Sequence, residues 1–362
     1  NAPFVSDKDP VVSFRVWVQK ILNSSEMGRL NLRNSQTAPF TIFLPLNGLS
    51  EQMGLQGRAN TLLLSTGASV GEIEGILKNR FTLDDAGLTI REAPLSDQWE
   101  IVSDRVFIDD ASVTAMENTG LSHDPILTYF VNSFRFGERE TPYSFISSLP
   151  GNRLGEGEII INEWLSGDLD AGASDSLVLN FYRMGSLREL EEVEISLRVK
   201  EVVPLEGYYS DRSLMPMIPG LSDAENCRDW QTGMPVDLKK IRDKDEAYWY
   251  NYRGLPKAFV SLETAQKLWS NRYGSLTAVR FDRLNLTGED LAGAVREELD
   301  PFTLDLQLRA VKEEGLEAAR NGTDFRSLFL GLSFFILASG IILTALLFRL
   351  NLEKRTSEIG TL

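Results

Sequence analysis

One cysteine, Cys227, and one histidine, His123, are all that the 362 residues hold of the two most versatile catalytic and metal-binding side chains. A single thiol closes no disulfide within the chain and builds no thiol-rich metal centre. A Ser–His–Asp site would have to use His123, yet no GxSxG elbow surrounds any serine; a Cys–His pair would have to join Cys227 to His123. Basic residues are in short supply as well. The 37 Lys and Arg face 52 Asp and Glu, a formal charge of −15, so no basic face is on offer to the phosphates of nucleic acid. No GxxxxGK[ST] loop occurs, which excludes P-loop binding of ATP by this chain. The acids Asp211, Asp223, Glu225 and Asp229, and the run 243–246, lack EF-hand spacing and read as solvated loop charge. Carboxylates are plentiful, but their spacing singles out no pair for glycoside cleavage. No catalytic residue, metal site or cofactor is expected, and the chain does not read as an enzyme.

What the sequence does hold is one long apolar run. Residues 328–348 read LFLGLSFFILASGIILTALLF, 21 residues without a charge, bracketed by Arg326 and Arg349. As a helix at about 1.5 Å per residue the run spans roughly 31 Å, the thickness of a bilayer's hydrocarbon core. Segment 326–349 is therefore expected to be a transmembrane helix. Arg349, Lys354 and Arg355 follow the run, and Lys312, Arg320 and Arg326 precede it; the tighter cluster after it favours a cytoplasmic C-terminus and a large extracytoplasmic domain. Small residues recur seven apart at Gly331, Ala338 and Ala345, with Gly340 nearby. On a helix they fall near one stripe, where a neighbouring helix could approach closely.

Before this run the length calls for more than one folding unit, and the chain reads as internally duplicated. FRVWVQKIL (14–22) is echoed by LRVKEVVP (197–204), and PFTIFLPLNGLSEQMGLQGRANTLLL (39–64), shifted by one at the start, runs without a gap against the stretch that starts at Pro256, placing Phe43 with Phe259, Leu46 with Leu262 and Thr61 with Thr277. Each copy reads strand, connector, strand, short helix, strand, with the helices at 46–53 and 262–269 and further helices at 70–79 and 289–299. A lead-in to the second copy reads strand 159–161, helix 163–169, turn, strand 177–182. The first copy lacks it, from which the chain is expected to begin partway through a domain. Arg15 matches Arg198 at an offset of 183 and Phe43 matches Phe259 at 216, so the second copy is longer by 33 residues. The extra residues fall within the insertion segment 208–254, which is irregular and rich in aromatics, prolines and acids. Two readings stand for it: a binding segment, or a loop packed over the domain's own sheet. The expected fold is α+β, a mixed-sheet domain with internal duplication: a first subdomain over 1–150, a second over 151–325, the membrane helix over 326–349 and a cytoplasmic segment over 350–362.

Residues 324–362, DFRSLFLGLSFFILASGIILTALLFRLNLEKRTSEIGTL, resemble the FtsX-like permeases of MacB-type ABC transporters. In these an apolar helix runs into a charged cytoplasmic segment ending in E-I-G-hydrophobic; here the matching residues are Glu353, Lys354 and Arg355, then Glu358, Ile359 and Gly360. EIIINEWLSGDL is also similar to the family's extracytoplasmic "viNe-x-lA-x-x-L" pattern, with Asn162 and Glu163 at the marked positions. Asn351 and Thr356 dilute a junction that is more uniformly basic in the family. The resemblance implies a permease subunit in a bacterial inner membrane, most of it extracytoplasmic. Its partners would be the lipid bilayer, a second permease copy and a cytoplasmic ABC ATPase on a separate chain that contacts 353–360. A different class also fits the parts: a single-pass receptor, or a tethered ligand-binding ectodomain.

Overall fold

The computed structural model describes residues 13–32, 39–93, 95–151, 153–185, 189–231, 233–322 and 325–359. In chain order the helices are α1 (Leu46–Gln52), α2 (Val70–Arg80), α3 (Asp110–Asn118), α4 (Glu163–Leu169), α5 (Asp243–Tyr252), α6 (Leu262–Trp269), α7 (Gly288–Glu298), α8 (Val311–Gly322) and α9 (Phe325–Ile359). The strands are β1 (Leu88–Ala93), β2 (Gln98–Ser103), β3 (His123–Ile126), β4 (Thr128–Phe136), β5 (Arg139–Leu149), β6 (Glu158–Asn162), β7 (Ser176–Met184), β8 (Leu190–Val203), β9 (Ala258–Ser261) and β10 (Ala278–Asp282). Two units form, one built on Gly71–Gln307 and one on Val12–Val70 with Leu308–Leu362.

The first unit contains a four-stranded antiparallel sheet, ordered β1-β2-β10-β3, and a closed six-stranded barrel, ordered β4-β5-β9-β6-β8-β7. The barrel is mixed: β5 with β9 and β6 with β8 run parallel, and the other neighbours run antiparallel. Local chemistry explains the pieces. Gly137, at φ 59°, supplies the turn between β4 and β5, where Phe136 pairs with Arg139 and two residues suffice. In β8 the buried Leu197 and Val199 alternate with exposed Ser196, Arg198 and Lys200, the period of a strand with one covered face. β6 is different: Ile159, Ile160, Ile161 and Asn162 are all buried, as a strand covered on both faces requires.

Helices α3 and α7 cover one face of the open sheet, where Met116, Leu291 and Val295 pack with Ile101, Val279 and Phe281. The opposite face meets the barrel through Val102, Ile126 and Ala278 against Leu149, Ile160 and Phe259. The boundary expected at 150/151 falls between β5 and β6 of this one barrel, and β10 sits in the sheet between β2 and β3. The insertion 208–254 is packed on the barrel. Its Trp230 lies 5.8 Å from the Phe130 ring and 5.0 Å from Trp249, and Ile218, Leu221 and Ile241 join the same core.

The barrel-side face of the sheet also carries buried charge. Arg91, Glu100 and Arg280 are direct cross-strand neighbours on β1, β2 and β10. Arg280 Nε donates to Glu100 Oε1 at 2.8 Å and Arg91 Nε to Glu100 Oε2 at 2.6 Å; the side chains of Arg280 and Glu100 are 1% and 0% exposed. The insertion completes the set. Asp211 Oδ2 lies 2.9 Å from Arg280 Nη1, and Ser213 Oγ accepts from Arg280 Nη2 at 2.8 Å. Burial alone would depress the Arg280 pKa, but Glu100 and Asp211 reverse this and raise it above the usual arginine value.

The second unit holds α1, α8 and α9, with chain of no regular structure over 13–22 and 39–45. Helix α1 forms where expected, and so does α6 at the aligned position. The strands expected at 14–22 and within 39–64 are not formed. A strand exists only as part of a ladder, and among the described residues these segments have no ladder partner, leaving Trp17, Ile21, Phe40 and Ile42 exposed. The aligned 197–204 stretch, by contrast, is paired in β8 up to Val203. The two stretches therefore differ in structure, and an internal duplication is not shown.

Replacing Glu100 by Leu leaves Arg280 with Asp211 as its one carboxylate and takes from Arg91 its ion pair. Loss of about 3–5 kcal/mol is expected, read as a lower denaturant midpoint of the full chain in detergent.

Candidate functional site

Two places hold the residues of interest: α9 and the seam between the insertion and the barrel. On α9 the apolar run and the charged segment form one helix of 35 residues. The stretch Ser327–Arg355 is long and apolar enough to cross a membrane and is not buried within the protein. Gly331, Ala338 and Ala345 are seven apart on it, which offsets each from the last by about 20° and keeps them on one stripe. A Cβ added at Gly331 or Gly340 would meet nothing within 4 Å. Glu353 pairs with Arg349 at 3.2 Å, one turn back, while Lys354 and Arg355 are exposed. Glu358 and Ile359 continue the helix; Gly360 lies outside the described residues.

At the seam, Asn162 ends β6 and caps α4. Its Oδ1 accepts from Leu165 N at 2.8 Å and its Nδ2 donates to Tyr248 Oη of α5 at 3.1 Å. One fully buried side chain thus joins strand, helix and insertion. Glu163, next to it, accepts from Leu205 N at 3.2 Å. At the other end of α4, Asp168 accepts from Thr141 Oγ1 at 2.5 Å, from Arg242 Nη2 at 2.7 Å and from Lys244. Burial alone would raise the Asp168 pKa. The hydrogen bonds from Lys244, Thr141 and Arg242 outweigh it and hold the carboxyl below its usual value. Arg242 in turn binds Asp245 through Nε at 2.7 Å and Nη2 at 2.8 Å.

Lys257 is the least expected member of the seam. Only 4% of its side chain is exposed, and its ammonium lies 4.1 Å from the ring centre of Trp164 and 4.7 Å from that of Tyr248. Asp245 Oδ1 is 4.0 Å away, beyond direct hydrogen bonding. Burial lowers the Lys257 pKa to about 8, against partial support from Asp245 and Asp168. A cavity of about 20 Å³ opens here, lined by Cys227, Trp230, Asp245, Tyr248 and Lys257 among others. Burial also pushes the Cys227 thiol well above its usual range, so it is held as an unreactive thiol.

The remaining candidates lie apart in role. His123 sits on β3, its Nδ1 2.9 Å from Leu121 O and its ring against Phe281, while Cys227 belongs to the insertion's core. Asp211 is bound up in the Arg280 pair. Among the described residues no three His, Cys, Asp or Glu side chains come together in a group that could hold a metal ion. No protein-family model and no curated protein matches this chain.

Sequence reasoning singled out Asn162 and Glu163 but missed Lys257, Arg91, Glu100 and Arg280. Their signal was a charge at an apolar position: Arg280 interrupts AVRF, and Lys257 directly precedes the buried AFV of β9.

Asn162→Ala removes a helix cap and a buried donor together, and a loss of about 2 kcal/mol is expected in chemical unfolding. The depressed pKa of Asp168 gives a second expectation. Its stabilisation is present above the unfolded value of 3.8 and is lost as pH falls through the lower folded value. Acid unfolding followed by far-ultraviolet circular dichroism should therefore be less pH-dependent below pH 4 in Asp168→Asn than in the parent protein.

Proposed function

We propose that this chain is the permease subunit of a MacB/FtsX-type ABC transporter. In this reading α9 crosses a bacterial inner membrane, and the Gly71–Gln307 unit lies outside the cytoplasm. A separate ATPase engages Glu353, Lys354, Arg355, Glu358, Ile359 and Gly360, and a second permease copy packs on the stripe Gly331–Ala338–Ala345. ATP hydrolysis would move the extracytoplasmic unit to export or mobilise a substrate. The internal duplication belongs to the same reading, with 14–22 and 39–64 as its first copy.

The observation that carries it is the continuity of α9. Thirty-five helical residues measure about 52 Å, roughly 20 Å more than a hydrocarbon core. In this reading a force applied at Glu353 passes along this one helix toward the outer end of the membrane run when the Ser339–Gly340 turn stays straight. The sheet–barrel unit, with its buried ion set, supplies a stiff body for that rod to move. A purely anchored ligand-binding domain needs neither the charged extension nor its helical register.

Co-expression with the cytoplasmic ATPase of a MacB-type transporter tests the reading. Co-purification in detergent that is lost on deleting 353–362, with the membrane fraction unchanged, is the expected result. Undiminished ATPase association in the truncated chain would overturn the coupling role. Absence of any ATPase association in either form would favour the single-pass tethered domain.

A further inference from the structure

Lys257 is buried where the insertion, α4 and the barrel meet. The groups around it come from each of these elements, with Tyr143 of β5 and Arg253 lining the adjoining cavity. Asp245 and Tyr248 belong to α5, Asp168 and Trp164 to α4, Arg242 to the turn before α5, and Cys227 to the insertion's first half. Lys244 lies on Asp168, and Glu246 accepts from Cys227 N and Arg228 N at the far side of the thiol. With Lys257 charged, three cations (Arg242, Lys244, Lys257) share the two carboxylates of Asp168 and Asp245. With Lys257 neutral the set is balanced. The adjoining cavity of about 20 Å³ is large enough for one water molecule, which gives the amine a route for exchanging its proton.

We propose that Lys257 is a proton-operated latch: the insertion 208–254 is held more tightly on the barrel when this amine is neutral than when it is an ammonium ion. Protonation loosens the segment and mild alkalinity tightens it.

The sign follows from linkage. In the closed protein Lys257 titrates near 8, and once opening returns it to water it titrates near the ordinary 10.5. Opening therefore takes up a proton between these values and becomes harder as pH rises through the window. Opening is favoured by the same constant factor at any pH well below 8. The aromatic faces of Trp164 and Tyr248 soften the cost of the charged form but do not abolish it.

The protein carries its own reporter. Cys227 is the only thiol and is buried in the seam, so its alkylation requires the insertion to open. The measurement is the iodoacetamide labelling rate of the full chain in detergent, divided by the rate of the denatured chain at the same pH. It runs from pH 7 to 9, ending at the thiol's ordinary pKa of 9.0 and below the 10.0 of a free Tyr248 hydroxyl. The normalised rate should fall about tenfold across this range in the parent protein. It should be flat and low in Lys257→Met, and flat and high in Lys257→Arg, which stays charged throughout. A flat profile in the parent protein, or the parental slope persisting in Lys257→Met, overturns the latch. Should Lys257→Met not fold, Lys257→Gln replaces it: a flat, low profile supports the latch and a parental slope overturns it.

Discussion

The buried guanidinium of Arg280 is the constraint around which the large unit is organised. A charge this far from water is tolerable only when paired and hydrogen-bonded. Its two carboxylates come from different parts of the chain: Glu100 from the neighbouring strand, Asp211 from the start of the insertion. Pairing with Glu100 favours one register of β2 against β10, because a one-residue slip would turn the arginine to the opposite face of the sheet. Pairing with Asp211 ties the start of the insertion to the sheet, next to Tyr208 and Tyr209, which pack on Phe259 of the barrel. Ser213 reinforces this point, accepting from Arg280 through its hydroxyl and from Arg91 through its carbonyl. Such a set adds little net stability compared with apolar side chains of the same volume. Its effect is selective: arrangements of sheet and insertion that separate the four charges are penalised.

The second seam repeats this logic with less complete compensation. Asp168, Arg242 and Asp245 form a well-satisfied chain of hydrogen bonds, and Asn162 fixes α4 and α5 to the end of β6. Lys257 is added to an arrangement that is already nearly neutral, and it makes no close contact with a carboxylate oxygen of Asp245. The first seam holds the sheet, the barrel and the start of the insertion in register. The second sets how firmly the later part of the insertion, including α5, is held. The two lie at opposite ends of the same 47-residue segment, which makes the insertion a structural brace rather than an open loop.

Much of the architecture could be read from residue order, and the gaps have physical causes. Helices α4 and α6 appear at the residues expected, and Asn162 and Ser261 cap them with local chemistry that needs no tertiary partner. Alternation likewise located the end of β8, and the strands read at 159–161 and 177–182 fall within β6 and β7. The same alternation misled at 14–22 and 39–64, since periodicity specifies which side chains share a face and says nothing about whether a neighbouring strand exists. Barrel closure was not legible either. It depends on β7 meeting β4, with Ser133 opposite Asn180, and the only local trace of that contact is unremarkable apolar sequence. The buried ions were misread for a related reason: Arg280, Glu100 and Asp211 are far apart along the chain, and each alone resembles ordinary surface charge.

In α9 the sequence and the structure converge on a mechanical property. No proline occurs between Phe325 and Ile359, so the backbone hydrogen-bond ladder need not be broken anywhere along it. The residues most able to relax the ladder are grouped near the middle. Ser339 Oγ donates to Phe335 O and Thr344 Oγ1 donates to Gly340 O at 2.7 Å, each drawing on a carbonyl that the helix itself uses. With Gly340 beside Ser339, this turn is the natural site for a bend. The segments on either side, 325–338 and 345–359, then behave as stiff levers. A displacement at the charged end is consequently either transmitted whole to Phe325 or absorbed at Ser339–Gly340. Under the proposed permease reading, a neighbouring helix packed on the stripe Gly331–Ala338–Ala345 would decide between the two, because that stripe spans the Ser339–Gly340 turn.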